Sequence, residues 1–295
     1  MRRPDLGKNK RTKKAEKAGP VLRGSARTSV RQIANPVGRF IKQVPVTRDY
    51  REGEYTHVSD LLYKCMRLVA ISGQMGVLPP EEPIWPAMSL VHEMGEAGHD
   101  WVKGRIMQET GNVFGNWACI CGHTTVERAL LKQAETNICE KCGYPADVYK
   151  ELTLRDEEYK LVGNCDLAVE YANQYVLSEL KTISRAQFDT LTDAKPDHKM
   201  QLHFYSWMAQ REGLSVYKRM SVFYICREWV FGSPFKEFIM DASESEEAIQ
   251  PYLAEAAAIR DWKHRNGQLP QRTLCATKDD KRAVKCPMVS RCFSL

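Results

Sequence analysis

Two β-rich runs separated by a short polar break constrain the fold of this chain more than any other stretch. The runs cover residues 161–169 and 175–183, and the break between them contains Asn173. Apolar and β-branched residues on both sides of an asparagine-containing break are typical of two strands joined by a tight turn, here near residues 171–174. The sequence therefore predicts a β-hairpin, set in a central sheet.

The hairpin carries three charged residues in a suggestive pattern. Side chains alternate between the two faces of a strand, so Glu179 and Lys181 point the same way. If the hairpin closes symmetrically around residues 172 and 173, Asp166 lies opposite Glu179. Two facing carboxylates repel each other, and a divalent cation between them, with Lys181 beside it, would remove the conflict. The alternative is a surface hairpin with a charged, solvated face.

Composition indicates a soluble globular protein. The 295 residues suffice for one large domain or two modest ones, and they are 43% hydrophobic and 27% charged. No apolar run approaches the roughly 18 residues that a membrane-spanning helix needs, and no secretory signal is visible at the N-terminus. We therefore expect a cytoplasmic protein without a membrane partner.

Basic residues concentrate at the N-terminus. Residues 1–45 hold thirteen Lys or Arg and two acidic residues, a net charge of +11 against +6 for the whole chain, so the remainder carries −5. We expect a disordered tail there and a folded domain over residues 46–295. The tail is either a flexible arm that binds phosphate backbones through counterion release or a solubilising extension.

Four cysteines predict a structural zinc site. They form two close pairs, each followed by glycine, and the ten cysteines of a chain without an export signal favour metal binding over disulfides. Four thiolates suit tetrahedral Zn²⁺, and such a closed set leaves no open position for catalysis. The four residues are Cys119, Cys121, Cys139 and Cys142. The first pair is CxC instead of CxxC, and His123 could replace one thiolate. We expect a zinc-ribbon-like insert over residues 117–144, whose hairpin could contact nucleic acid.

Four further cysteines make a second possible set. Cys275, Cys286 and Cys292 lie in a basic C-terminal stretch where packing alone does not account for them. Cys65 lies on the apolar stripe of a helix predicted over residues 55–71, with Ser59 as its N-cap. Iron–sulfur clusters are held by four thiolates.

A second helix is predicted over residues 88–109 and carries His99. Its two histidines do not form a zinc-protease HExxH motif, because they lie seven positions apart instead of four. A lone histidine on a helix is more often an ordinary core or surface residue than a metal ligand. His99 therefore gains its interest only from the motifs that follow.

Three further elements complete the pattern. A helix over residues 196–211 begins at Pro196 and places Gln201 and Tyr205 on one face, although an ordinary amphipathic helix would look similar. Residues 215–230 are β-like. A capping box starting at Ser243 predicts a helix reaching about residue 266.

The ordered motifs resemble those of the PD-(D/E)XK nucleases of the RecB branch. This branch includes RecB and AddB nuclease domains, CRISPR-associated RecB-like exonucleases and phage recombination exonucleases. The motifs are Gly95-xxx-His99, Gly163-xx-Asp166, Glu179-x-Lys181 and Gln201-xxx-Tyr205. The resemblance covers roughly residues 55–295. It implies a restriction-endonuclease-like α/β core, a central mixed sheet flanked by helices, with the active carboxylates at one sheet edge.

The resemblance also implies an activity. We expect a DNA exonuclease that hydrolyses phosphodiester bonds with Mg²⁺ or Mn²⁺, held by His99, Asp166, Glu179 and the backbone carbonyl of residue 180. Lys181 would orient or deprotonate the attacking water, or neutralise the transition state. Gln201 and Tyr205 would position the substrate or Lys181.

Several of these relatives carry a [4Fe–4S] cluster held by one early and three late cysteines. The resemblance implies the same ligand role for Cys65, Cys275, Cys286 and Cys292, although zinc could fill this set instead. The chain departs from its relatives in three ways. Cys165 replaces the proline before Asp166, the late cysteines are spaced Cys-x10-Cys-x5-Cys, and the zinc-ribbon-like insert is extra to the minimal domain.

The implied biological setting is recombination, repair or phage DNA metabolism in a bacterium or a virus-infected host cell. The expected partners are DNA ends or single strands, together with a recombination or replication protein. A structure-specific endonuclease and a non-catalytic zinc-ribbon nucleic-acid-binding protein are the two alternatives.

Overall fold

The computed structural model describes residues 54–63, 65–75, 86–228, 231–272, 274–284, 286 and 288–295. All of them fall in one unit, Pro45–Leu295. The predicted basic tail, residues 1–45, lies outside the described residues.

A seven-stranded mixed sheet forms the centre of the structure. Its strands follow the order β10-β9-β8-β7-β2-β3, and the short β4 pairs with β2. Strands β8 and β9 are parallel, whereas the other neighbours in this sheet are antiparallel. The strands are β2 (Val113–Ala118), β3 (Thr125–Leu130), β4 (Val148–Tyr149), β7 (Leu167–Tyr171), β8 (Gln174–Ile183), β9 (Arg219–Cys226) and β10 (Phe235–Asp241).

A smaller three-stranded sheet has the order β1-β6-β5. Strand β1 runs parallel to β6, and β5 runs antiparallel to it. The strands are β1 (Thr56–His57), β5 (Leu152–Asp156) and β6 (Leu161–Cys165).

Helices flank the two sheets. They are α1 (Val58–Tyr63), α2 (Met66–Met75), α3 (Pro86–Thr110), α4 (Leu131–Ala134), α5 (Arg185–Thr190), α6 (Pro196–Arg211), α7 (Ser245–His264), α8 (Lys281–Val284) and α9 (Val289–Ser294). The predicted α/β class, a central mixed sheet flanked by helices, is confirmed. Among the described residues, no helix combines the length and the apolar content that crossing a membrane requires.

The predicted hairpin forms with the predicted register. Strands β7 and β8 pair Leu167 with Ser178 and Tyr171 with Gln174. Ala172 and Asn173, at the turn, both have positive φ angles, of 50° and 61°, which is the conformation of a tight turn between twisted strands.

The first predicted strand, residues 161–169, is wrong as a single element. The chain bends at Asp166, because β6 pairs within the small sheet whereas β7 pairs with β8 and β2 of the large sheet. Asp166 therefore lies at the crossing point between the two sheets. Strand β8, which carries Glu179, has a neighbour on each side. The carboxylates accordingly do not lie on an edge strand.

The first predicted helix, residues 55–71, is divided. Thr56 and His57 form β1, where the Thr56 amide donates to the Lys160 carbonyl at 2.7 Å. The helical part is then split into α1 and α2, and Cys65 lies between them. The single apolar stripe seen in the sequence thus belongs to two short helices.

Helix α6 has the predicted bounds, and α3 extends the predicted helix by a few residues. The predicted capping box at Ser243 is wrong. Asp241 caps a short 3₁₀ turn (Ala242–Glu244) by accepting from the Ser243 amide at 2.9 Å, and α7 follows this turn. The strand predicted over residues 215–230 is shorter, as β9.

Candidate active site and metal centres

Asp166 is held in place by the neighbouring strand β8. Its carboxylate accepts a hydrogen bond from the Leu180 amide at 2.8 Å. Because the chain bends at Asp166, this side chain reaches the backbone of the strand that carries Glu179 and Lys181. The bend between the two sheets thus brings the hairpin's charged residues into one site.

Glu179 and Lys181 lie on one face of β8, as predicted. The Lys181 ammonium is 2.5 Å from a carboxylate oxygen of Glu179, and it donates to the Gln201 side chain at 3.1 Å. The Gln201 amide in turn donates to the Tyr205 hydroxyl at 2.6 Å. These four residues therefore form a continuous polar chain from β8 to α6.

A buried carboxylate oxygen of Glu179 has no partner within the part of the chain that the structure describes. Glu179 is 1% exposed, and no described residue hydrogen-bonds to its Oε2 atom. Burial, followed by the charge of Asp166, raises the pKa of Glu179 from 4.5 to about 8. An unpaired buried carboxylate is costly, and a bound cation would satisfy it.

Burial and the neighbouring charges also shift the pKa values of Asp166 and Lys181. Burial raises the pKa of Asp166, although Lys181 and Lys103 act against it. Burial disfavours the charged form of Lys181, but the charges of Glu179 and Asp166 outweigh it, so the pKa of Lys181 is raised. Lys181 therefore stays an ammonium in the cation-free protein.

His99 lies within electrostatic reach of this site. Burial, followed by the charges of Lys103 and Lys181, lowers the pKa of His99 from 6.5 to about 4. A neutral imidazole is the form that binds metal ions. Gly95 explains how the helix comes so near, since a Cβ there would lie 2.8 Å from the Thr182 Oγ1 atom of β8.

The sequence motifs did not point to two charged residues of this region, Lys103 and Glu151. Glu151 lies between β4 and β5, and its carboxylate pairs with the Lys103 ammonium at 2.7 Å. Lys103 follows His99 by four positions, so the shared helix face was a usable signal. No sequence signal pointed to Glu151, because only the fold places its loop within electrostatic reach of Asp166.

The residues fit a divalent cation. The unpartnered oxygen of Glu179, the half-buried carboxylate of Asp166 and the neutral imidazole of His99 offer oxygen and nitrogen ligands of the kind that Mg²⁺ and Mn²⁺ accept. The predicted ligand role of these three residues remains a prediction.

The first cysteine set forms a compact group. The sulfur atoms of Cys119, Cys121, Cys139 and Cys142 all lie within 4.8 Å of one another. Within the described part of the chain, these residues make up the one such group of potential metal ligands, and His123 is outside it. A hydrogen bond from Thr124 lowers the pKa of Cys139 to about 5. The group is therefore suited to hold a metal ion.

The loops around these sulfurs have the expected form. Gly122 and Gly143 have φ angles of 70° and 74°, and their amides donate to the carbonyls of Cys119 and Cys139, both at 2.8 Å. Only glycine adopts such angles without strain. Strand β2, whose last two residues begin the insert, pairs with β7 through Val113 and Phe114, so the insert follows directly from the central sheet.

The second cysteine set does not form a compact group of this kind among the described residues. Burial, followed by the charges of Cys65 and Cys292, raises the pKa of Cys275, so these thiols lie within electrostatic reach of one another. Arg67 of α2 donates to the carbonyls of Pro270 and Cys292, both at 3.1 Å. The C-terminal segment is thus fastened beside Cys65.

The fold and the site together define a class of nuclease. A mixed sheet that carries a bent Asp motif and a Glu-x-Lys strand, with a Gln-xxx-Tyr helix against the lysine, is the arrangement that the sequence motifs imply. A family model described as the PD-(D/E)XK nuclease superfamily matches residues 92–293. The chain belongs to this superfamily. No curated protein matches the chain.

Proposed function

We propose that the protein is a divalent-metal-dependent DNA exonuclease. The observation that carries the proposal is the position of Glu179. Its buried, unpartnered oxygen lies in a site with Asp166, while its other oxygen pairs with Lys181. Membership of a nuclease superfamily fits a phosphodiester substrate, and such nucleases use divalent metals.

Each residue then has a chemical role. His99, Asp166 and Glu179, with the carbonyl of residue 180, would hold Mg²⁺ or Mn²⁺. The bound cation would polarise the phosphodiester and lower the pKa of the attacking water. Lys181, a cation held between Glu179 and Gln201, would orient that water or neutralise negative charge that develops on the phosphate.

Gln201 and Tyr205 would act as positioning residues. Both are buried. Lys181 donates to Gln201, and Gln201 donates to Tyr205, so these two residues fix the acceptor of the lysine. A lysine ammonium has three donors and a flexible stem, so a fixed acceptor decides where it points.

The finer assignment to the RecB branch rests on the order of the motifs. It leads us to propose DNA ends or single strands as substrate, recombination or replication proteins as partners, and a cytoplasmic site of action in a bacterium or a virus-infected cell. The same resemblance leads us to propose an iron–sulfur cluster in the second cysteine set, and the compact first set supports structural zinc there.

Incubation with end-labelled linear DNA and with circular DNA, in Mg²⁺ or Mn²⁺, tests the proposal. We expect the linear substrate to be degraded from its ends and the circle to survive. Nicking of the circle would make the protein an endonuclease, and cleavage of neither substrate would make it a binding module.

The variant Asp166→Ala separates this site from a contaminating nuclease. It removes a proposed cation ligand at the bend between the sheets, and we expect it to abolish cleavage. The matched control is Glu109→Ala, an exposed carboxylate near the end of α3 that pairs with Arg105 of the same helix. Wild-type cleavage by Asp166→Ala would overturn the site assignment.

A further inference from the structure

Tyr224 connects the strand beside Lys181 to helix α6. It belongs to β9, where it pairs directly with Lys181 of β8, and it is completely buried. Its hydroxyl lies 2.7 Å from Nδ1 of His198 and accepts a hydrogen bond from the Lys195 amide at 2.9 Å. Both partners lie at the start of α6, the helix whose Gln201 accepts from Lys181. The helix is therefore fastened to two neighbouring residues of the sheet, one of them the proposed catalytic lysine.

These hydrogen bonds decide which nitrogen of His198 carries the proton. Buried polar groups in proteins are hydrogen-bonded, and the Tyr224 oxygen already accepts from an amide. Its own proton is therefore donated, and Nδ1 of His198 is the acceptor that the described residues offer. In a neutral imidazole one nitrogen accepts and the other donates, so Nε2 of His198 carries the hydrogen. Among the described residues, Nε2 has no hydrogen-bond partner.

The surroundings of His198 favour an anionic acceptor for this free N–H group. Burial, followed by the charge of Lys181, lowers the pKa of His198 from 6.5 to about 4, so the imidazole is neutral at physiological pH. The ammonium groups of Lys181 and Lys195 act on it against one carboxylate, that of Asp197. The side chain is only half-buried, so a bound molecule can reach it. Gln201 follows three positions later, on the same face of the helix.

We propose that His198 is a substrate-binding residue of this nuclease, which donates a hydrogen bond from Nε2 to a phosphate oxygen of the nucleic acid beside Lys181. Tyr224 is the positioning residue that presents Nε2 as the donor. Donation to a charged oxygen is stronger than donation to a neutral one, and a contact to phosphate carries no sequence information. The inference rests on the proposed function and deepens it, since it assigns a residue that recognises the backbone of the substrate.

DNA binding in the absence of cleavage tests the assignment. The background is Asp166→Ala, in which we expect no cleavage, and the probe is a fluorescently labelled duplex with a single-stranded overhang. Adding His198→Leu should weaken binding by about tenfold to a hundredfold, the range for a lost hydrogen bond to a charged group. Adding His198→Gln keeps an uncharged N–H donor and should restore most of the affinity.

The matched control is His203→Leu in the same background. It removes another histidine of α6, whose Nδ1 lies 3.1 Å from the Ser245 hydroxyl in the core. This variant should bind the probe as the background does, even if it melts at a lower temperature. Equal affinities of His198→Leu and His203→Leu would overturn the inference.

Methylphosphonate substitution shows whether the contact is to phosphate. Each phosphate of the probe is replaced in turn, which removes its charge and one of its oxygens. We expect replacement at one position to weaken binding by the histidine-containing protein much more than binding by His198→Leu, because two groups in contact give non-additive effects. Additive losses at every position would mean that His198 contacts no phosphate.

The tautomer gives a spectroscopic readout that does not depend on DNA. Nitrogen NMR of the wild type should show a neutral His198 with its hydrogen on Nε2, assigned by the loss of this signal in His198→Gln. Tyr224→Phe should give a mixture of tautomers and weaker binding of the probe. In His198→Leu/Tyr224→Phe the second change should have no further effect on binding. A wild-type His198 that carries its hydrogen on Nδ1 would refute the positioning role of Tyr224 and the donor with it.

The outcomes distinguish this inference from the proposed function. A wild type that cleaves DNA, with His198→Leu binding and cleaving equally well, would refute the role of His198 and leave the nuclease standing. A wild type that cleaves no DNA, but binds it in a manner that depends on His198, would refute the nuclease and support the phosphate contact. Neither cleavage nor binding would refute both.

Discussion

The Gln201 side chain accepts a hydrogen bond from the Lys181 ammonium at 3.1 Å. Gln201 belongs to α6 and Lys181 to β8, so this bond joins the helix to the strand that carries the proposed catalytic residues. The Gln201 amide is fixed in turn by the Tyr205 hydroxyl. The orientation of the lysine therefore depends on a residue that need not touch the substrate.

We expect Gln201→Ala to slow cleavage by about tenfold to a hundredfold, because a displacement of about 1 Å in a catalytic group has an effect of this size. Cleavage of end-labelled DNA under single-turnover conditions measures the loss. The matched control is Gln210→Ala, which removes a similar bond, from Gln210 to Ser206 at 3.0 Å, on the same helix. Equal rates for the two variants would show that Gln201 has no positioning role.

Gly163 is a second point at which packing controls the site. A Cβ atom there would lie 2.3 Å from a ring carbon of Tyr205. We expect Gly163→Ala to destabilise the protein by about 1–3 kcal/mol, the usual cost of overpacking, and to lower cleavage by displacing Tyr205. Denaturant unfolding measures the stability. Gly104→Ala is the control, because a Cβ at that helical position meets nothing within 4 Å.

The hairpin and its register were predictable because local signals agree with one another. Two β-rich runs and an asparagine at the turn fix which residues face each other, and the observed pairing of Leu167 with Ser178 follows. Helix α6 was predictable for a similar reason, since Pro196 marks its start. The order of the motifs along the sequence indicated the family without any knowledge of the site's geometry.

The bend at Asp166 was not predictable from the local pattern. Residues 161–169 read as one continuous strand, and only the pairing of their two halves with different sheets divides them. The electrostatic influence of Asp166 on Glu151 was hidden for the same reason, since it depends on a loop 15 residues earlier in the chain lying near the bend. The replacement of the first residues of the predicted helix by β1 likewise results from tertiary pairing, with β6.

The cation-free protein should lose stability as the pH rises. The pKa of Glu179 is raised from 4.5 to about 8, mainly by burial, so the folded state binds this proton more tightly than the unfolded state. Its contribution is fully present below pH 4.5 and is lost as the pH approaches 8. Because Asp166 and Glu151 shift in the same direction, the neighbouring carboxyls add to the effect.

Between about pH 5 and pH 8 we expect the wild type to lose on the order of a few kcal/mol of unfolding free energy through this group, and Glu179→Gln to lose correspondingly less. Saturating Mg²⁺ should flatten this pH dependence in the wild type, since the cation favours the ionised carboxylate. Urea unfolding across this range gives the free energy of unfolding at each pH. A wild-type slope that neither the variant nor Mg²⁺ changes would refute the electrostatic assignment of Glu179.

Removal of metal from the first cysteine set should loosen the insert. Cys139→Ala should lose an equivalent of zinc, measured by elemental analysis, and should melt at a lower temperature, because the loops around the four sulfurs depend on the metal. Cys226→Ala is the matched control, since Cys226 is buried in the core and belongs to neither cysteine set. Its zinc content should equal that of the wild type.

The second cysteine set should hold a cluster that ties α2 to the C-terminal segment. Cys65 and Cys292 lie within electrostatic reach of Cys275, and Arg67 donates a hydrogen bond to the Cys292 carbonyl. Protein purified without oxygen should therefore contain iron and absorb visible light, and exposure to air should remove colour and stability together. Cys275→Ala should lose the iron while keeping zinc in the first set. Anaerobic protein that contains zinc in both sets, without iron or visible absorbance, would contradict the iron–sulfur assignment.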